Sequence, residues 1–582
     1  MSEAPASKPR VLIIGAGPAG LSLAIELGMR SIACLLVERN DRVGYAPRAK
    51  TTNVRTREHL RRWGIADKLK AASPLGADYP SNIVFCTRLA GFQLAKFENA
   101  LYCAPGKNPL YSEHSQWIPQ YLFEEVLRAH AQSLPGVSIR FSAELESFAQ
   151  DGASVTAVVR DLNTGTTEKI SCAYLVGADG ARSRVREAIG AKMEGKYGLS
   201  RNYNVVFRAP GLAHAHGHGP AIMYWQVNAD TPSLIGPMDT GDKWFFMPTN
   251  VPEGMKLADL AAAPDWIRKA TGIDLPYEIL SSDEWVASQL LADRYRDRRV
   301  FLAGDACHLH PPFGGHGMNM GVADAVDLGW KISAVLQGWG GEVLLESYER
   351  ERRPVHKFVL EEAVTNHATL GNQLSQAGIE DDTAEGARIR SEIGGRVHAA
   401  KMREFYSLGV VLGYRYDDSP VIAGDGTEPM QYDFVNYVPT ARPGSRAPHA
   451  WMHDGSSLFD HFGPGFTLLV TDDRDEAGIA ALRAAAIAGG IPLNVLRPRE
   501  PGIAELYKAR FALVRPDQHV AWRGNVVGDA AAILRKVVGL GTAQPRGKND
   551  RHRSVASSPR PDLSPFEPPA HKAPRPGRSA LS

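Results

Sequence analysis

The glycines Gly15, Gly17 and Gly20, spaced G-x-G-x-x-G, directly follow the apolar run Val11–Ile14. No other feature narrows the fold as far. A four-residue run with no polar face suits a strand buried on both sides of a sheet. After the turn, Leu21, Ala24, Ile25 and Gly28 recur at helical spacing, and residues 33–37 form a second buried run ending at Glu38. The unit is βαβ, which implies a parallel sheet. The first glycine allows the tight turn, the second lets a pyrophosphate approach the backbone, and the third lets helix and strand pack. Pro18 and Ala19 open a helix whose N-terminus faces phosphates. Glu38, with Arg39 beside it, stands where a ribose hydroxyl needs an acceptor.

At 582 residues the chain is too long for one small core, and two to four domains are expected. Sixty-six basic against 64 acidic residues give +2, which excludes the strong basic excess of a nucleic-acid binder. Charged residues and glycines interrupt residues 11–37, so they are not a membrane span. None of the five cysteines sits in a C-x-x-C or zinc spacing, and the N-terminus lacks a signal-peptide pattern. A cytoplasmic protein is expected.

Two further glycine motifs follow strands. YLVGADGARSRVR places Asp179 and Gly180 at a strand end, with Ser183, Arg184 and Arg186 opening a helix. GDACHLHPPFGGHGMNMG places Asp305 at another, followed by Pro312, Gly315, Gly317, Met318 and Asn319. Clustered glycines before a helix expose N–H groups that suit a phosphate or a polar ring edge. Between them, residues 204–249 read as short aromatic and β-branched strands of an antiparallel meander.

At these residues the chain resembles the single-component FAD-dependent aromatic hydroxylases of the p-hydroxybenzoate and phenol hydroxylase type. The resemblance implies that the first motif holds the ADP half of FAD. It places Asp179 and Gly180 between the pyrophosphate and the nicotinamide donor, Asp305 at the ribityl chain, and the glycine loop at the flavin ring. Arg48, in PRAKTTNVRTREHLRRWG, takes a phosphate-binding role, and Gln120 touches the flavin side chain. SYERERRP, Ser347 to Pro354, is similar to the family's closing helix signature. ARPGSRAPH and LVRPDQHVAWRG resemble the thioredoxin-like domain of the phenol hydroxylase branch. That domain has no cysteine, which leaves packing or homodimer formation as its role.

The expected fold is α/β, with a Rossmann-like FAD domain (1–75, 108–200, 286–400), an inserted antiparallel substrate sheet (76–107, 201–285), a linker (401–436), the thioredoxin-like domain (437–541) and a disordered tail (542–582). From Pro545 that tail holds eight prolines and eight basic against three acidic residues, so its +5 leaves −3 on the rest. The implied reaction uses NADH or NADPH and O2 to hydroxylate a phenolic or polycyclic aromatic substrate through a flavin C4a-hydroperoxide. The alternative is a flavoprotein that binds FAD and a ligand without hydroxylating, as a sensor or accessory protein. The N–H groups of Met318 and Asn319 are candidate donors to the flavin N1 and C2 carbonyl region, with Pro312 beside them. Lys50 stands where the phenol hydroxylase branch has a substrate-activating carboxylate; a lysine there could hold a phenolate or carboxylate. Tyr224, Trp225, Met238, Trp244 and Phe246 are candidate substrate contacts, although alternation in a sheet turns about half of such residues away. The alternating His214, His216 and His218 lack acid or cysteine neighbours and read as a surface loop, and no metal is expected there or at His308 and His310.

Overall fold

The computed structural model describes residues 9–41, 49–249, 262–367, 374–472 and 474–541. Arg48 and the proline-rich tail lie outside the described residues. The expected parallel sheet has the strand order Arg296–Asp297, Val300–Leu302, Tyr174–Gly177, Val11–Ile14, Cys34–Val37, Val137–Arg140. All but the Arg296–Asp297 edge strand run parallel. The central strands are wholly buried, as their apolar runs require. Helices Pro18–Gly28 and His316–Leu336 pack together closely. A Cβ on Gly329 would stand 2.6 Å from the Glu26 Cβ, so the crossing is set by that glycine.

A sheet of eight strands lies beside it, in the order His308–Leu309, Glu278–Ala292, Met193–Arg208, Lys243–Pro248, Ser233–Pro237, Met223–Gln226, Ile83–Cys86, Gln93–Phe97, antiparallel as expected except between Met223–Gln226 and Ile83–Cys86, which run parallel. The expected boundaries at 200 and 285 fall inside its two longest strands, Met193–Arg208 and Glu278–Ala292. These strands pair along their length and carry the chain from the parallel domain into the sheet without a break. The boundary at 400 likewise cuts the helix Ala384–Phe405, whose Ile389, Ile393, Val397 and Phe405 cover one sheet face. The expected linker is also structured: Leu408–Gly413 is a helix, with Leu408, Val411 and Leu412 packed around Val54 and Tyr111.

Residues 466–524 form a four-stranded sheet, Leu493–Leu496, Phe466–Val470, Phe511–Val514, Val520–Gly524, parallel in its first pair and antiparallel in the others. With helices Glu476–Ala488 and Ala530–Val537 against it, this is the thioredoxin-like arrangement. Buried ions join it to the parallel domain. The Arg515 guanidinium donates to Glu351 (2.7 and 2.9 Å), Asp327 (2.9 Å) and Asp517 (2.6 and 3.1 Å), while Lys331 reaches Asp327 (2.8 Å) and Glu351 (2.6 Å). Three carboxyls thus face two cations with no water between. Burial pushes the Asp327 carboxyl up, against the pull of Lys331 and Arg515. Glu351 stays low because Arg515 and Lys331 outweigh its burial. Removing one partner of such a set strands the others in low dielectric, at a cost of about 3–5 kcal/mol. Arg515→Met is therefore expected to lower the melting temperature in a thermal scan by far more than Arg474→Met on the surface; equal shifts would refute the role given to this network.

Candidate active site

The three glycines of the first turn divide by what surrounds them. A Cβ on Gly15 (φ +106°) would lie 2.3 Å from the Ala178 carbonyl oxygen, and one on Gly20 would lie 1.9 Å from the Gly15 oxygen. The protein itself demands both. A Cβ on Gly17 would meet nothing within 4 Å, and its backbone is extended (φ −74°, ψ −178°), open to any residue. Its space is kept for something other than protein. Pro18 holds the first helical turn, and Ala19 packs under Gly304. The Glu38 carboxylate accepts the N–H groups of Ala16 and Asn40, both at 2.9 Å, which fixes the acid at the mouth of the turn. Arg39 is exposed beside it.

The second motif is braced internally. Asp179 accepts from the Ser183 hydroxyl (2.5 Å) and the Val185 N–H (3.2 Å), and burial raises its carboxyl above the ordinary value. Gly180 (φ +80°) opens onto free space. Arg186 donates to the carbonyls of Ala306 (3.1 Å) and Ala181 (2.9 Å), tying this motif to the third. There Asp305 is exposed, while the Gly304 N–H is held at 3.0 Å by Asp324. Asp324 also accepts from Arg352 (2.8 Å) and meets His308 (2.8 Å) and His356 (2.9 Å), all fully buried. Burial alone would raise this carboxyl; His356, Arg352 and His308 hold it well below the carboxylate range. Cys307, His308 and Asp324 are the one metal-compatible group among the described residues, but this carboxylate is already committed to Arg352 and the loop. His216, on the surface loop, packs edge-on against Tyr224 at 4.9 Å.

The loop after His310 turns through Gly314 (φ +80°) and Gly315 (φ +66°), and the helix His316–Leu336 starts from it. Gly315 N–H bonds to Pro312 (3.1 Å), leaving the N–H groups of His316, Gly317 and Met318 without intrahelical acceptors. Asn319, the fourth helical residue, lies where the ladder returns its N–H to Gly315. Its side chain locks the loop in place, donating to Thr51 O (3.0 Å) and Gly315 O (2.7 Å) and accepting from Asn53 N–H (3.0 Å). Both ring nitrogens of His316 are buried without a partner. These unused donors, the orphaned imidazole and the open space at Gly17 and Gly180 fit FAD laid from the first turn to this loop. Pro312 is exposed at the loop's tip. Gln120 donates to Glu124 (2.7 Å) at the start of its helix, whose backbone bonds back to Ala49 (2.9 Å).

The eight-stranded sheet turns one face to this loop, and pleating divides the expected substrate contacts. Met238 lies on the loop-facing side with Trp225, Phe245 and Trp117. Tyr224, Trp244 and Phe246 lie on the other side, under Ala263, Ile267 and Ala270 of the helix Ala263–Thr271. Those three are core residues, displaced from the expected role by one register step. Trp225, also expected from the sequence, lies on the loop-facing side, whereas sequence reading missed Phe245, which the alternation in KWFF would have marked had the buried face been known. The Phe313 ring of the loop lies 6.3 Å from Trp225, and the Lys50 ammonium lies 4.2 Å over Phe245. Leu101 and Tyr102, both at positive φ (63° and 60°), line a cleft with Thr51, Asn53 and Gly314.

The family model described as FAD binding domain matches residues 8–363, and that of the aromatic-ring hydroxylase C-terminal domain matches 440–540. The chain belongs to the FAD-dependent aromatic-ring hydroxylases. Tetracenomycin B2 monooxygenase-dioxygenase of Streptomyces olivaceus is 33% identical over 91% of this chain and 97% of the relative. 2,4-Dichlorophenol 6-monooxygenase of Delftia acidovorans is 30% identical over 88% and 94%. Among solved structures, the rebeccamycin biosynthetic enzyme RebC with reduced flavin superposes with a TM-score of 0.84 at 33% identity, covering 92% of this chain and 99% of that one. The flavin-dependent monooxygenase PieE, in complex with FAD and substrate, gives 0.85 at 31% identity, covering 92% and 100%. This hydroxylase is therefore an FAD-dependent monooxygenase of aromatic rings, and the non-hydroxylating alternative gains nothing from its relatives.

The division of the glycines is testable in the hydroxylase. Gly17→Val should fold with an unchanged melting temperature of the apoprotein yet bind FAD at least about tenfold more weakly, a loss of ~1.4 kcal/mol. Gly20→Ala should instead unfold early with or without FAD. Flavin-fluorescence titration and thermal scans of both apoproteins distinguish the two outcomes.

Proposed function

We propose that this hydroxylase oxidises a phenolic or polycyclic aromatic ring held between the Phe313–Met318 loop and the sheet face of Trp225, Met238 and Phe245, with NADH or NADPH and O2 as co-substrates. The observation that carries the reading is the meeting of these two surfaces: a helix N-terminus with three free N–H groups opposite a buried aromatic face. FAD, when bound, supplies the electron transfer and oxygen activation that no side chain provides. Glu38 and the Gly15–Gly20 turn would hold its adenosine and pyrophosphate end, with Asp179, Gly180 and Asp305 along its length and Arg48 and Gln120 as further contacts. His316, Gly317 and Met318 would donate N–H bonds to the polar edge of its ring, where the helix dipole favours negative charge. Asn319 acts through its side chain, as the clamp that keeps those donors aimed. Pro312 and Met318 would flank the ring and, with Trp117 and Phe313, exclude water.

The domain division follows the same reading, with the eight-stranded sheet as substrate module. The C-terminal domain is a packing module that also offers a homodimer surface. All five cysteines are free and buried, which supports a reducing, cytoplasmic setting. No described helix is long and apolar enough to cross a membrane.

Two measurements test the function. A panel of phenols and fused-ring aromatics should stimulate NAD(P)H oxidation and give a product heavier by one oxygen; stimulated oxidation yielding only hydrogen peroxide would overturn it. Phe245→Ala should raise KM about tenfold, the equivalent of ~1.4 kcal/mol, whereas Trp244→Ala, on the opposite face, should lower the melting temperature with KM unchanged.

A further inference from the structure

Two ammonium groups lie over the aromatic face of the substrate sheet, and they differ in one respect. Lys401 stands 4.7 Å from the Trp225 ring and 5.6 Å from that of Phe313, and it is neutralised by Glu404 at 2.6 Å. Lys50 stands 4.2 Å from the Phe245 ring, and no carboxylate among the described residues offsets its burial, which pushes its ammonium down to about 8. It still carries its proton at neutral pH.

The backbone root of Lys50 is fixed. Its carbonyl accepts from Ile118 N–H (2.8 Å), Ala49 accepts from Gln120 N–H (2.9 Å), and Thr51 pairs with Trp117 while holding the Asn319 clamp of the cofactor loop. The ammonium is therefore rooted at the junction of loop and sheet. A cation over a phenyl ring gains less than an ion loses on leaving water. Gly236 sets where the ring lies: a Cβ there would stand 2.7 Å from the Phe245 Cε1, so the glycine lets Phe245 lie flat beneath the ammonium.

Resting on the hydroxylase reading of this same face, we propose that Lys50 is a specificity-determining anion anchor, and that the aromatic substrates of this chain carry an ionised acidic oxygen, carboxylate or phenolate, which it holds. The ring then stacks on the Phe245 side while the ammonium sets which edge faces the cofactor loop.

The test is binding to the FAD-loaded protein, read from the perturbation of the flavin absorbance spectrum. One arm compares 2-naphthoate with 2-naphthamide, and the other 2-naphthol with 2-methoxynaphthalene. At least one acid should bind about tenfold or more tightly than its uncharged partner; the arm that discriminates names the group. Lys50→Met should bring that ratio to about one while leaving FAD content and the affinity of the uncharged partner unchanged, and Lys50→Arg should preserve the ratio. No discrimination in the wild type, no binding of either acid, discrimination surviving in Lys50→Met, or loss of FAD from that variant would each overturn the proposal. A failure of the hydroxylase reading shows separately, as discrimination in binding without an oxygenated product from any ring.

Discussion

Two neighbouring residues on the helix Glu342–His367 hold buried charges against counter-ions in opposite directions. Arg352 turns toward Asp324, which holds the Gly304 N–H and the histidines behind the third glycine motif. Glu351, one residue earlier, turns toward Arg515 of the thioredoxin-like domain. Asp324, the partner of Arg352, and Asp327, which shares Arg515 and Lys331 with Glu351, lie one turn apart on the helix His316–Leu336, which begins at the cofactor loop. One helix pair thus fixes the loop at one end and the C-terminal domain along its side. Neither network stabilises as apolar packing of equal volume would, but each leaves the helices a single register in which no charge is stranded.

That register carries through to the site. Once Asp324 holds Gly304, the strand Val300–Leu302 must end where Asp305 enters the cleft. Once Asn319 clamps Thr51 and Asn53, Lys50 is brought to the sheet face. The second weld, Glu58 with Arg446 (3.1 Å) and Arg55 (3.1 Å), anchors the helix that follows this segment to the C-terminal domain. Without a dithiol, that domain contributes by covering charges the parallel domain could not otherwise bury.

The parallel sheet was legible because its strands are apolar on both faces and its turn glycines are spaced by steric need. The three glycine turns at strand ends were legible for the same reason, since backbone geometry leaves few residue choices. Domain boundaries were not, because strands such as Met193–Arg208 run from one sheet system into the next with no composition change. Nor was the facing of Tyr224, Trp244 and Phe246: MYWQ and KWFF are aromatic on both sides, and only the packing of the helix Ala263–Thr271 reveals which side is core. Asn319 shows the same limit in the loop, where its place was visible but the use of its side chain as a clamp depends on Thr51 and Asn53, far away in sequence.

The two halves of the site are built from different parts of the chain's chemistry. On the cofactor side the free groups are largely backbone N–H groups and glycine-sized gaps, which side-chain substitution reaches only by adding bulk or breaking a brace. On the substrate side the surface consists of side chains projecting from one face of a sheet whose opposite face and hydrogen-bonded ladder hold its position. Replacing Phe245 or Lys50 changes shape or charge at the ring without touching a ladder bond or the Asn319 clamp. On the proposed reading of the site, the fold separates what is oxidised from how it is oxidised, so that new substrate specificity can arise at the sheet while the cofactor side stays intact.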